Sequence, residues 1–344
     1  MRKTIICFIS LLALFLASCT SNAGTTDIPS TITTDKAPTP PEQPLTNMTI
    51  YVISWSIGNI SAVSYRSVMN GGEDMGCEII IMGIPNETDF EAQNRLLQQA
   101  IDANADAIIL APVNFEAQAE AVSDAYRTGI PIVLVRESVN TEDYSAFIGF
   151  DEENVGRAAA MELIKKLRDS GLDEHEYSQV AVHVPSESAI AIRNRLRGFK
   201  EYWDEKAPDS WVVLWEDVKT NDGDYESAKE IVHTFLNDYP NLKGVFATSY
   251  FTTTFSAVAM MEAGCTDIAL VGFGWSTEVD NIIREGFNAS AICRNEYYLS
   301  YESVRLAFEL ANNGELDEKV IDAGVIVINA ENIDSDEVQS IAHW

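Results

Sequence analysis

Charge enters the apolar pattern of this chain at two arginine-bearing points, Arg136-Glu137 after the run GIPIVLV and the cluster RNRLR at 193–197. A guanidinium offers a rigid fork of donors that fits carboxylate or phosphate geometry bidentately. At the end of an apolar strand the Arg136-Glu137 pair is expected to touch a ligand, an exposed salt bridge being the alternative. Other chemistries find less support. A glycosidase needs two carboxylates facing each other across the scissile bond; Glu137 can be paired on paper with Asp151 or Glu187, but each has a simpler surface explanation. The stretch GFGWS (272–276) lacks the GxSxG pattern of a nucleophile elbow, and GFG lacks the remaining glycine and the context of a dinucleotide loop. His175, His183, His233 and His343 lie far apart without ligand spacing, and Cys77, Cys265 and Cys293 form no CxxC. No metal, no cofactor and no enzymatic activity are expected. One disulfide among the three cysteines stays open.

The elements that position these residues follow from short β-branched runs alternating with helical patterns. MTIYVIS (48–54), CEIIIMG (77–83), ADAIILAP (105–112) and GIPIVLV (129–135) read as strands nearly continuous in apolar character, as parallel strands covered on both faces are. Helical patterns fall between them at 59–75, 89–103 and 115–127. After YSAFIGFDEENVG (144–156) the grammar restarts. Strands are expected at 179–184, 211–215, 243–248, 268–273 and 289–293, and helices near 188–204, 224–238, 253–263, 277–285 and 297–313. The fold class is α/β, with two doubly wound parallel-sheet lobes, and ligands of such sheets sit outside the carboxyl ends of the strands.

The amino-terminal part carries a different message. Arg2 and Lys3 precede an apolar segment, Thr4 to Ser18, of only 15 residues, too short for a membrane span but ordered as an export signal is. Leu16-Ala17-Ser18-Cys19 resembles a bacterial lipobox, which makes Cys19 the lipidated anchor and residues 1–18 a signal peptide; an ordinary signal with an incidental cysteine is the alternative. Of the 28 residues from Thr20 to Asn47, 15 are Thr, Ser or Pro, so residues 19–47 read as a flexible tether. Of the chain's 23 basic residues, two leave with the signal; the remaining 21 face 53 acidic ones, a net charge of −32. Nucleic-acid binding is disfavoured by that balance.

The runs NADAIILAPVNFEA, AYRTGIPIVLVRES, FIGFDEENVGRAAA, RNRLRGFKEYW, GVFATS and IALVGFGWSTEVDNIIREGFNASA together resemble the periplasmic-binding-protein family of the ribose- and galactose-binding type, collinearly from about Thr49 to Ile333. The resemblance implies a chain that crosses between lobes three times, in the type I form of the fold. One lobe would comprise 48–150 plus about 294–324, the other 151–293 plus about 325–344. It implies no helix-turn-helix regulator here, because signal and tether stand in that place.

Family positions carry over residue by residue. After the first strand come Ser54 and Trp55, while the usual stacking pair is replaced by Ile60 and Ser61. Arg136-Glu137 stands where sugar binders commonly show Asp-Arg, and Arg195 falls on the family's ligand-contacting arginine. Ser249 stands for a frequent Asn, with Tyr250 beside it; Gly274 stands where an Asp is usual, followed by Trp275; Arg294 lies near the family's Gln. Three guanidinium groups, of Arg136, Arg195 and Arg294, are thereby expected in one crevice that lacks a usual carboxylate. The implied protein is a monomeric lipoprotein, held to the membrane by its lipid alone, that captures a sugar, sugar acid or sugar phosphate. It would deliver that ligand to an ABC permease or signal it to a sensor protein.

Overall fold

The computed structural model describes residues 48–339, apart from 59, 187, 188, 221–224, 315 and 337. The expected signal, Cys19 and tether, as well as Glu187, lie outside the described residues.

The chain opens with β1 (Thr49–Ser54), α1 (Ala62–Met75), β2 (Glu78–Gly83), α2 (Phe90–Asp102), β3 (Ala107–Leu110), α3 (Ala119–Arg127), β4 (Ile132–Val135) and β5 (Ala146–Gly149). A second series follows: α4 (Glu152–Asp169), β6 (Ser178–Val184), α5 (Ile190–Lys206), β7 (Trp211–Val213), β8 (Lys219–Thr220), α6 (Tyr225–Asp238), β9 (Leu242–Ala247), α7 (Tyr250–Ala263), β10 (Ala269–Phe273), α8 (Thr277–Arg284) and β11 (Ala289–Arg294). Then come α9 (Glu296–Asn313), β12 (Val320–Asp322) and β13 (Val325–Ile328).

Each series makes its own sheet. The first runs β12-β5-β4-β3-β1-β2, every pair parallel. The second runs β13-β11-β10-β9-β6-β7, with β8 also on β6 and β13 antiparallel to β11. β3 (AIIL) and β4 (IVLV) are buried at every residue, because helices cover both faces of the sheet. Two apolar clusters flank each sheet: one around Ile50, Val133 and Phe308 and one around Ile53, Leu97 and Leu134 on the first; one around Phe235, Met260 and Leu270 and one around Leu163, Phe199 and Phe246 on the second.

Leaving aside β8, β12 and β13, both sheets share one order, in which the first strand of the series lies between the second and the third. The order in which strands are added reverses between β1 and β3 and again between β6 and β9, the switch points of the two sheets. The chain passes between sheets at 150–151, at 295 and at 323–324. The first and third passages are laced together: the amide of Asp151 donates to Asp322 Oδ1 at 3.1 Å, and Asn154 Nδ2 donates to Asp322 Oδ2 at 2.9 Å.

Some boundaries differ from those expected, for local reasons. α1 starts at Ala62, because the Ser61 side chain caps it by accepting from Ser64 N at 3.0 Å. α7 starts at Tyr250 and not at 253, because Ser249 and Thr252 form a reciprocal capping box. β5, β8, β12 and α4 had no assignment from sequence. β8 and β12 are two- and three-residue pairings whose exposed residues carry no burial pattern of their own.

Candidate functional site

The second sheet and its hinge build the larger cavity, about 690 Å³, at the carboxyl ends of β10 and β11. Phe273, Gly274 and Trp275 come from the end of β10, Tyr250 from α7, and Cys293 and Arg294 from β11. Val63 of α1 and Glu296 of α9 reach it from elements of the first sheet. A volume of that size matches small-molecule pockets generally, which are mostly apolar with a few fixed polar groups. A much smaller cavity, about 40 Å³, lies beside the end of β1 and is lined by Ser54, Trp55, Ile60 and Arg136 among others.

The guanidinium groups are held on aromatic rings. Arg136 lies over Trp55 at 4.7 Å from the ring centroid, Arg195 over Phe273 at 3.6 Å, and Arg294 between Phe150 at 5.1 Å and Phe273 at 5.7 Å. The three guanidiniums expected in one crevice each have a carboxylate partner within the chain, while Arg294 Nε is buried without a hydrogen-bond partner among the described residues. Arg195 Nε donates to Glu152 Oε2 at 2.5 Å and its Nη1 to the Thr248 carbonyl at 2.7 Å, while Arg294 Nη2 donates to Glu152 Oε1. Arg136 Nη1 donates to Glu296 Oε2 at 2.5 Å. Burial alone would raise the Glu152 carboxyl, but the Arg195 and Arg294 guanidiniums outweigh it and hold the group below its ordinary value. Arg195, 5% exposed, is lowered mainly by its own burial.

Two glycines make the buried triad feasible. A Cβ on Gly156 would stand 2.0 Å from the Arg195 carbonyl oxygen, and one on Gly198 would stand 2.0 Å from the Glu153 carbonyl oxygen. α4 and α5 therefore touch backbone to backbone, which brings the first residue of α4, Glu152, against Arg195. Asp151 caps that helix by accepting from the amides of Glu153 and Asn154 at 2.8 and 3.3 Å.

The expected residues separate into groups. Tyr250, Gly274, Trp275 and Arg294 line the larger cavity; Ser54, Trp55, Ile60 and Arg136 line the smaller one; Ser61, Glu137, Arg195 and Ser249 line neither. Several hydroxyls are engaged locally: Ser54 Oγ donates to the Ser56 carbonyl at 3.0 Å, and Ser61 and Ser249 are helix caps. Glu137 is exposed at the strand end. Trp275 is only 8% exposed and packs with Val279 and Ile283 of α8, so one face serves the core. Gly274 adopts φ +96°, and a Cβ there would lie 3.1 Å from both Cα and Cβ of Tyr250, which accounts for the glycine at this position. The pair Glu152 and Glu296 was missed from sequence. Each is the first residue of a helix just past a crossing, a position where an acid is read as a helix-end preference rather than as a site.

The loops of the first sheet are held by buried amides. Gln93 Nε2 donates to the carbonyls of Ser54 and Ala111 at 3.1 and 2.9 Å, and Gln118 Nε2 donates to Gln93 Oε1 at 2.8 Å. Gln118 Oε1 accepts from the amides of Val113 and Asn114, at 2.8 and 2.9 Å. Cys77, Cys265 and Cys293 are free thiols, and among the described residues no His, Cys, Asp and Glu cluster could hold a metal ion.

Comparisons with known proteins agree with this architecture. A family profile described as the periplasmic binding protein domain matches residues 50–316. The chain is 23% identical over 216 residues to the D-ribose/D-allose-binding protein of Pseudomonas aeruginosa, covering 61% of this chain and 64%, just under two thirds, of that protein. It is 22% identical over 260 residues to the D-allose-binding periplasmic protein of Escherichia coli, covering 73% of this chain and 80% of the relative. Among solved structures, AraP, an arabinose binding protein from Geobacillus stearothermophilus, superposes with a TM-score of 0.67 at 24% identity, covering 84% of this chain and 99% of that one.

Proposed function

The chain belongs to the periplasmic binding protein family, with the type I fold of two parallel-sheet lobes, and from that premise we propose that it captures a sugar or a related small solute between the lobes. That family is one of binding proteins rather than enzymes. The observation that carries the reading is the 690 Å³ cavity, walled by Phe273, Gly274 and Trp275 on one lobe and reached by Val63 and Glu296 from the other. Aromatic faces beside fixed charged groups suit the apolar C–H face and the hydroxyl rim of a sugar ring. The ligands for which these relatives are named, ribose, allose and arabinose, point to the same class.

In this reading residues 48–150 with about 294–324 form one lobe, and 151–293 with about 325–344 the other. They close over the ligand by bending at the three crossings. The loaded protein passes its ligand to an ABC permease, or its closed surface is read by a sensor protein. Among the described residues no helix is long and apolar enough to cross a membrane. Cys19 is the proposed lipid anchor and residues 19–47 the tether; a Cys19→Ala protein that still fractionates with membranes as a mature lipoprotein defeats that part.

Capture is tested by a thermal-shift panel of pentoses and hexoses, since a ligand bound only by the native state raises stability by RT ln(1 + [L]/Kd). Small-angle scattering with the active sugar should then show a smaller radius of gyration. Confirmed binding without compaction would remove the clamp.

A further inference from the structure

At the end of β10 this cavity has Gly274, whose φ of +96° and close approach to Tyr250 make any side chain there strained. A carboxylate nevertheless reaches the same cavity from across the hinge. Glu296, the first residue of α9, lines it with its side chain 14% exposed. One oxygen, Oε2, accepts from Arg136.

Three features fix that carboxylate. Asn295 caps α9 by accepting from the Tyr298 amide at 2.9 Å, so the negative group stands at a helix N-terminus. Arg136 is itself pinned on the Trp55 ring at 4.7 Å. Its backbone is also held at φ +69°, a left-handed conformation costly for arginine, with its amide donating to the Ile148 carbonyl at 2.9 Å. Backbone strain of this kind persists only where the surroundings over-determine it, and it collects at functional positions.

The charged residues lining the cavity balance, two acids against two arginines, so they offer no net attraction for anions. Asp280 and Glu296 line it with Arg284 and Arg294; Arg284 is taken by Asp280 and Asp334, and Arg294 shares Glu152 with Arg195 through Nη2, leaving its buried Nε for a hydroxyl oxygen of the ligand. Asp280 is paired with Arg284, its side chain 29% exposed. We infer that Glu296 is the ligand-orienting carboxylate of this cleft, and that it selects a ligand presenting hydroxyl or ammonium donors and carrying no anionic group. This rests on the capture reading proposed above and narrows it against sugar acids and sugar phosphates.

The test titrates the full-length processed protein and its Glu296→Gln variant by calorimetry with D-ribose, D-allose, D-galactose, D-galactosamine and D-galacturonate. The wild type should bind galacturonate more weakly than galactose and galactosamine. In Glu296→Gln, galactosamine should weaken by about tenfold, as for a lost charge-assisted hydrogen bond, and galacturonate should tighten relative to wild type. A merely structural role would move both charged sugars in the same direction, and that result overturns the inference. So does a wild type that prefers galacturonate, or a variant whose neutral-sugar Kd is unchanged. A wild type that binds none of the five defeats the capture reading itself and the inference with it. Equal melting temperatures of the two proteins show that the variant is folded.

Discussion

The two walls of the cleft share a strand order but hold their arginines differently. On the second lobe Glu152, Arg195 and Arg294 form a triad packed between Phe150 and Phe273, their side chains 11%, 6% and 30% exposed, so that its buried centre is Arg195 on the shared carboxylate, where the α4–α5 backbones touch. On the first lobe Arg136 and Glu296 form a single pair whose side chains are 28% and 14% exposed. A buried charge without its partner is costly, whereas a partly solvated one is compensated by water. The triad therefore acts as architecture and the single pair as an adjustable surface, although sequence presents all three arginines alike.

The largest effect should follow from Glu152→Ala, which leaves two guanidiniums facing each other without their shared carboxylate. The expected loss is about 3–5 kcal/mol of stability, read by denaturant unfolding followed at tryptophan. A loss below 1 kcal/mol would place the triad on the same footing as the first-lobe pair.

Acid should also act on the second lobe first. His183 of β6 is completely buried, its Nδ1 against Ser256 Oγ at 3.1 Å, and burial lowers its pKa from 6.5 to about 3. The unfolded chain takes up this proton near 6.5 and the folded one does not, so stability is full above 6.5 and falls as the pH drops from there toward 3, by up to about 1.4 kcal/mol per unit. Glu152, held below its ordinary 4.5, adds a loss in the same direction that begins only near that lower pH. Between pH 6.5 and 5, His183→Gln should flatten the stability profile, provided the variant folds at neutral pH. An unchanged slope there would remove His183 as its source.

The smallest effect is expected on the first lobe. Arg136→Ala should cost no more than about 1 kcal/mol of stability, because its pair with Glu296 is partly solvated. The same variant should weaken sugar binding more than it weakens the fold, because Glu296 loses its support. A melting temperature that falls as far as in Glu152→Ala would erase the distinction between the walls.

Much of the fold was legible in the chain. Runs such as AIIL and IVLV can be buried along their whole length only in a parallel sheet covered on both faces, and their spacing leaves room for one helix each. α4 shows the limit of such reading: Val155, Ala159, Leu163 and Leu167 carry its apolar face, but the small alanines and the buried Glu162 among them dilute the pattern. The glycines at 156 and 198 gave no sign that they meet, since only the packing of two helices brings them together.

The same division runs through the site. Sequence by itself determined the two-lobed α/β grammar, the arginines at strand ends and helix faces, and the absence of an acid at Gly274, because these depend on residue type and short-range period. Only the tertiary structure decided that Arg195 and Arg294 share one carboxylate 43 and 142 residues away, that Arg136 faces one 160 residues away, and that Glu296 reaches the cavity wall where Gly274 has no side chain. Partnership over such separations is set by the crossings of the hinge and the closeness of two backbones, and neither leaves a local trace in the chain.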